Sequence, residues 1–478
     1  MEIVIFISHI VFMLTIGFYF ITSLQWFSYK IERVIFHYTK PAWHIRFLAL
    51  PIALYFIFLY VNSLFFLIYL YFLQIPSLYL WYKNLDKKLV FTSRVKRFFI
   101  ILFLTTIFID ILMFNKVSLL PVFIPLILTL IISFSYEKYQ FLLYKRQALK
   151  KLKDMPNLKI IQITASYGKT SIKNFLYQIL KDDFICYKTP RSVNTLAGLI
   201  KDINDNLLNN TQIYIAEAGA RVSGDIDEIT KFLNPQIIVV GEIGEQHIEY
   251  FKTIENVRNT KLEALNSSRL EKAFLHSSTL KKSFDKITIY DENLKNVKST
   301  LDGLNFDLEF DKTYTFKSLI LGKFNASNLA ACIHIAHYLG IDVEIIKKRV
   351  LDIQSVEHRL QKIQNDKKFI IDDSFNGNFK GMSDSYELVS SFKGRKVIVT
   401  PGIIESTEDD NIKLAKIINE KFDFVIATGD LNAKIFKENI DSDKLFILEN
   451  KSNLVGALAE KTKEGDLILF SNDAPNFI

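Results

Sequence analysis

The sequence predicts a helical membrane bundle followed by an α/β architecture with a largely parallel sheet. Three observations carry that prediction. Long uncharged apolar stretches fill the first third of the chain. Basic residues cluster between and just after those stretches. From Lys159 onward, short β-rich apolar runs alternate with longer amphipathic segments.

At 478 residues the chain is too long for one core, and about three units are expected at roughly 100–200 residues per domain. A hydrophobic fraction of 49%, with 41 phenylalanines, excludes a disordered or collagen-like chain. Residues 1–155 hold 17 Lys and Arg against 6 Asp and Glu, while the remainder holds 42 against 45. The formal net charge of +8 therefore belongs to the N-terminal third, and nucleic acid is not an expected partner. Cys186 and Cys332, the only cysteines, make neither a disulfide framework nor a cysteine zinc site; they suit a reducing compartment.

The membrane region is read as 1–136. Ile3–Leu24 is uncharged and long enough to span; with no basic run before it and no small-residue cleavage site after it, it reads as an anchor. Phe47–Tyr82 is uncharged throughout, Phe98–Phe114 is apolar except for Asp110, and Val117–Tyr136 is a further span. If the second stretch folds as a hairpin near Asn62–Ser63, there are about five helices. The two basic loops (Lys30, Arg33, Lys40, Arg46; Lys83, Lys87, Lys88, Arg94, Lys96, Arg97) and the basic linker 137–154 then all face the cytoplasm, as the positive-inside rule asks. A single pass would give four helices and put one basic loop outside. Asp110 reads either as a proton or headgroup contact, or as a residue that snorkels or pairs with a neighbouring helix. Trp26, Trp43, Trp81 and Tyr82 read as interfacial anchors.

In the remainder, candidate strands are Lys159–Thr164, Gln212–Glu217, Gln236–Ile243, Phe369–Asp373, Lys396–Thr400, Phe424–Thr428 and Leu467–Phe470. Ligands in parallel sheets bind beyond the carboxyl ends of strands, and the polar residues of interest follow them. ITASYGKTS, Ile163–Ser171, reads as strand, turn and helix from about Thr170 to Leu180, a phosphate-binding arrangement that places Gly168, Lys169, Thr170 and Ser171 on a nucleotide. A surface strand–helix turn bearing a lysine is the plain alternative. Glu217 follows a strand, where it could hold a metal or be an ordinary strand-end acid. His247 follows another strand and is as often structural. Lys261 and Glu263 lie in a helix beginning near Ile254, where a lysine is usually solvated. Asn325 and Asn328 sit at a helix start, a common capping place. EHRL supplies Arg359, and IIDDSFNGN supplies Asp372 and Asp373.

In order and spacing this set resembles the Mur ligase family, ATP-dependent ligases of peptidoglycan precursor synthesis, and within it the branch that joins D-Ala-D-Ala to UDP-MurNAc-tripeptide. TPRSVNTLAG, the run EAGARVSGDIDEITKFLNPQIIVVGEIGEQHIEYFKTIENVRNTKLEAL and IIDDSFNGNFKGM carry the likeness, which extends over about 155–478. The resemblance implies a P-loop central domain, 155–352, and a smaller Rossmann-like C-terminal domain, 353–478. It implies ATP phosphates on Lys169, and two Mg²⁺ ions held by Thr170, Glu217, His247 and a carbamylated Lys261. It puts Asn325, Asn328 and Arg359 beside the nucleotide, Asp373 on its ribose, and Thr189, Ser192, Asn194 and Thr195 at the muramoyl-peptide substrate. By resemblance Lys169, Lys261, His247 and Arg359 are the catalytic set. The C-terminal domain closes over ATP in the family, so Arg359 and Asp373 are expected to be poor sites in an open state.

Three departures from the family stand out. Ala165 replaces a usual loop glycine. LFSNDAPNFI lacks the lysine-glycine-serine run expected near the amine substrate. The membrane region stands where soluble members carry a UDP-binding domain. The expectation is a ligase tethered at the bacterial inner membrane, catalytic domains in the cytoplasm, in contact with membrane lipid and near other cell-wall enzymes. The alternatives are a membrane-anchored ligase for another acceptor (polyglutamate or lipid-linked muramoyl peptide), a transport component and an inactive scaffold.

Overall fold

The computed structural model describes residues 2–27, 41–85, 88–113, 121–245, 248–363, 368–375, 377–404 and 406–472, with positions 29, 31 and 34. His247, Lys30, Arg33, Lys40, Lys87 and the whole C-terminal DAPNFI run lie outside them. The chain forms two compact units, 1–146 and 147–478.

The first unit is built from long helices: α1 Glu2–Trp26, α2 Ala42–Val61, α3 Ser63–Lys83, α4 Ser93–Leu112 and most of α5 Phe123–Lys153. The break between α2 and α3 is at Asn62, whose backbone is extended and whose side chain accepts from Leu64 N at 2.9 Å. That asparagine cap ends one helix and starts the next, so the long stretch folds back as a hairpin, with Phe58 packed on Tyr69. Among the described residues, α1, α2, α3 and α5 are long and apolar enough to cross a membrane by length and composition. α4 carries Arg94, Lys96 and Arg97 in its first turns and Asp110 near its end. α5 runs on to Lys153, so the stretch 137–153, read from its charge as a linker, is the second half of a helix.

Asp110 neither snorkels nor reaches solvent. It is fully buried, with Oδ2 at 2.8 Å from Nδ1 of the equally buried His9 on α1. Tyr55 of α2 stacks on Phe12 at 5.0 Å and lies 5.3 Å from the His9 ring.

Among the described residues, the second unit contains three sheets. In the first, all strands are parallel: β1 Lys159–Thr164, β2 Cys186–Lys188, β3 Ile213–Glu217, β4 Ile237–Val240, β5 Lys272–Leu275 and β6 Ile287–Ile289, in the order β2-β3-β1-β4-β5-β6. The chain leaves β1 through α6, Lys169–Leu180, to build one side, then crosses to β4 for the other. β1 is thus the switch point of the sheet, and a crevice opens at its carboxyl end. β7 Leu294–Thr300, β8 Gly303–Glu309 and β9 Thr313–Ser318 form an antiparallel sheet whose Phe306 and Phe316 join the core of α6.

The third sheet follows residue 353. Its strands are β10 Gln361–Ile363, β11 Phe369–Asp373, β12 Lys396–Thr400, β13 Phe424–Thr428, β14 Leu445–Leu448 and β15 Leu467–Ser471, in the order β10-β11-β15-β12-β13-β14. All pairings are parallel except β10 with β11. The runs expected at Lys159–Thr164, Phe369–Asp373, Lys396–Thr400 and Phe424–Thr428 have those bounds.

Candidate functional site

The crevice beyond β1 is made by one loop and one helix start. Ser166 N donates to the Glu242 carbonyl at 2.8 Å, which ties the loop to the segment after β4. Gly168 caps α6 with φ +80°, a left-handed backbone that favours glycine, and Asn328 closes on the space a Cβ would need. The first-turn N–H groups of α6 have no partners within the helix, an arrangement that favours an anion. Lys169 begins that helix. Its ammonium donates to Ala165 O at 2.7 Å and Ser166 O at 3.0 Å. Loss of hydration pushes its pKa down to about 8; Glu217 opposes the shift and Arg359 adds to it. Ser171 is buried on the same turn.

Glu217, at the end of β3, is the hub. It is buried and receives the Thr170 hydroxyl at 3.1 Å, the Asn194 amide at 3.3 Å and the Lys173 ammonium at 3.0 Å. Its own N–H donates to the Thr189 hydroxyl at 3.2 Å. Two of the four residues expected at the peptide substrate, Thr189 and Asn194, therefore meet Glu217 directly. Thr195 instead caps the helix Leu196–Asn206, and Ser192 is exposed.

Lys261 ends the helix Ile254–Leu262 and is buried, 3% exposed. It is not the solvated lysine that helical position alone suggests. Burial, then the neighbouring Lys169 charge, push its pKa down to about 7, with Asp225 and Glu263 opposing. Glu263 is held away by Ser223, Gly224 N and Asp227 N. Asn325 donates to Leu321 O at 2.8 Å and accepts from Asn328 at 2.9 Å, which fixes the start of the helix Phe324–Tyr338 behind the loop.

Arg359 comes from the segment before β10. Its charge reaches both Lys169 and Glu217, and its guanidinium lies 4.5 Å from the centre of the Phe375 ring. Asp373 accepts from Ser385 Oγ at 2.7 Å and Leu360 N at 3.1 Å, and burial raises its pKa to about 6. Lys380 of the C-terminal α/β region pairs with Glu242 beside the loop.

Glu217 and Thr170 are hard oxygen donors at the crevice, the donor type that suits Mg²⁺. Among the described residues no group of three or more His, Cys, Asp or Glu gathers as a metal cluster. Lys173 is a further member of the site that no sequence motif marks. It lies four residues after Lys169 on the buried face of α6, which is the signal that would have found it.

Residues 163–336 match the model of the Mur ligase middle domain. The chain is 27% identical over 332 residues to the UDP-N-acetylmuramoyl-tripeptide–D-alanyl-D-alanine ligase of Bacillus subtilis (strain 168), an alignment covering 65% of this chain and 72% of the relative. Two solved structures share the fold. MurF from Acinetobacter baumannii aligns with a TM-score of 0.61 at 22% identity, over 70% of this chain and 77% of that one. MurF ligase from Thermotoga maritima, in complex with ADP, aligns with a TM-score of 0.61 at 24% identity, over 70% and 80%. The loop, Lys169, Thr170, Glu217, Lys261, Asn325 and Asn328 all lie within the matched residues 163–336.

Proposed function

We propose that the chain is an ATP-dependent ligase that adds D-Ala-D-Ala to UDP-MurNAc-tripeptide, giving UDP-MurNAc-pentapeptide, ADP and phosphate. The observation that carries this reading is the Glu217 hub. One buried carboxylate ties the phosphate-binding turn, through Thr170, to the loop Thr189–Asn194. The two substrate regions expected from the sequence thus meet at one residue, as transfer from a nucleotide to a carboxylate requires.

The reaction is read as two steps. The tripeptide carboxylate attacks the γ-phosphorus of ATP, ADP leaves, and an acyl phosphate forms. The D-Ala-D-Ala amine then attacks the acyl carbon, loses a proton, and phosphate leaves. Carboxylate and γ-phosphate repel each other; Lys169 and Arg359 supply cationic groups to the phosphates. Mg²⁺ would be held by Thr170 and Glu217, with the rest of a two-ion set completed by His247 and a carbamylated Lys261, and would offset the same repulsion. An amine with its pKa near 7 is half neutral at neutral pH, the form that can react with CO₂. Asn325, Asn328 and Asp373 are assigned to the nucleotide, and Thr189, Ser192, Asn194 and Thr195 to the muramoyl peptide.

The helices of the first unit are read as a multi-pass anchor in the bacterial inner membrane, with the ligase in the cytoplasm beside enzymes that use its product. The test is phosphate release by the full chain in detergent with ATP, Mg²⁺ and UDP-MurNAc-tripeptide, with and without D-Ala-D-Ala. Release that needs both substrates, with a pentapeptide product by mass, is expected. Turnover only with a lipid-linked tripeptide or another amine would replace this reading.

A further inference from the structure

All three tryptophans of the chain, Trp26, Trp43 and Trp81, meet at one end of the helical unit. There the end of α1, the start of α2 and the end of α3 converge. Trp43 packs edge-on to Trp81 at 5.5 Å, Phe47 lies 5.2 Å from Trp81, and Tyr19 hydrogen-bonds His44 at 2.8 Å. A cavity of about 370 Å³ opens between α2 and α3, lined in part by Trp43, Arg46, Phe47, Ser77, Trp81 and Asn84. That is within the roughly 300–1,000 Å³ typical of ligand sites.

The lining has one chemical bias. Arg46, Ser77 and Asn84 each offer N–H or O–H donors. Among the described residues that line the cavity, none is acidic. Arg46 is exposed and rests on the Phe47 ring at 5.4 Å, without a carboxylate within ion-pair distance among the described residues. The buried indole N–H of Trp81 has no acceptor among the described residues. Beside the cavity, Leu80 and Ile45 present their side chains outward at 58% and 63% exposure. Donors and an exposed guanidinium lining an aromatic cleft, with apolar side chains at its edge, match an anionic head carrying a hydrocarbon tail.

We propose that this cavity binds the anionic phosphate head of a membrane lipid, with the tail along the apolar faces of α2 and α3. The proposal rests on the reading of the first unit as membrane-embedded.

The three tryptophans make the site self-reporting. The full chain is placed in phosphatidylcholine nanodiscs doped with phosphatidylglycerol, one lipid at a time bearing brominated chains, and tryptophan quenching is measured. Brominated phosphatidylglycerol is expected to quench at severalfold lower mole fraction than brominated phosphatidylcholine. Arg46→Ala should remove that preference, Arg46→Lys should keep part of it, and millimolar inorganic phosphate should leave it unchanged. Equal quenching by both lipids, or an undiminished preference in Arg46→Ala, overturns the proposal. Loss of the preference on adding inorganic phosphate overturns it in favour of a soluble anion. A chain that stays out of the nanodiscs refutes the membrane reading itself, a result distinct from insertion without preference.

Discussion

Lys173 and Glu217 form an ion pair of 3.0 Å in which both side chains are almost wholly buried. The same ammonium donates to the Arg191 carbonyl, so one lysine on α6 holds both the hub carboxylate and the loop expected at the peptide substrate. Removing one partner of a buried pair leaves the other charge desolvated, at a cost of about 3 kcal/mol or more. Lys173→Met is expected to lower stability in urea by about that amount. Because the loop loses its tether too, KM for the muramoyl peptide should rise more than KM for ATP. Unchanged stability would show that Glu217 is neutralised by another group.

Lys261 sits at about 7 against an ordinary value of 10.5. Between those pH values the unfolded chain binds a proton that the native chain does not. Its contribution to stability therefore rises with pH across that window, and the cost of burial is fully present below about 7. Lys261→Met should flatten that part of the stability profile, measured by thermal unfolding at several pH values. Isotopically labelled bicarbonate should give a carbamate carbon resonance that weakens below pH 7 and is absent in Lys261→Met.

Lys169 sits at about 8 because it is desolvated and near Arg359. Phosphates at the helix start would favour its charged form and raise that value. ATP binding near pH 9 should then take up protons, seen as a dependence of the binding enthalpy on buffer ionisation. The uptake should vanish in Lys169→Met and shrink toward pH 6, where the amine is already charged.

Gly168→Ala places a Cβ at φ +80° against Asn328. The backbone strain alone is about 1–2 kcal/mol. The variant should lose nucleotide affinity by roughly 10-fold or more through displacement of the helix start, where 1.4 kcal/mol corresponds to a factor of 10. Equilibrium binding of a fluorescent ADP analogue reads this directly.

The His9–Asp110 bond joins α1 to α4 inside the bundle. Interhelical hydrogen bonds among membrane helices average about 0.6 kcal/mol and reach about 1.7. Asp110→Ala should lower the thermal stability of the full chain in detergent by an amount of that order. Asp110→Asn, which can still accept from the imidazole, should recover most of it.

The strands with chemistry at their ends were legible because β-branched runs such as KIIQIT and KVIVT are short, apolar and flanked by helical segments. The sheet β7–β9 was not, since its first strand, LKNVKST, is half polar and exposes much of one face. The basic run 137–153 looked like a linker because charge marks solvent exposure without saying whether the backbone is helical. Lys173 and His9 are hidden in the sequence for the opposite reason. A polar residue in a helix reads as solvated until its tertiary partner, 44 or 101 positions away in sequence, is known.

Ala165, in the turn between β1 and α6, faces Gly241 so closely that a Cβ on the latter would lie 2.8 Å from the Ala165 Cβ. The room for one methyl is shared between two segments, and either can hold it but not both. The pair is therefore epistatic: Gly241→Ala should be damaging in this background and mild in an Ala165→Gly background. A lineage could exchange the two only by passing through the double glycine. The turn is thus specified jointly with the segment after β4 on which it rests, and substitutions in one are interpretable only with the other in view.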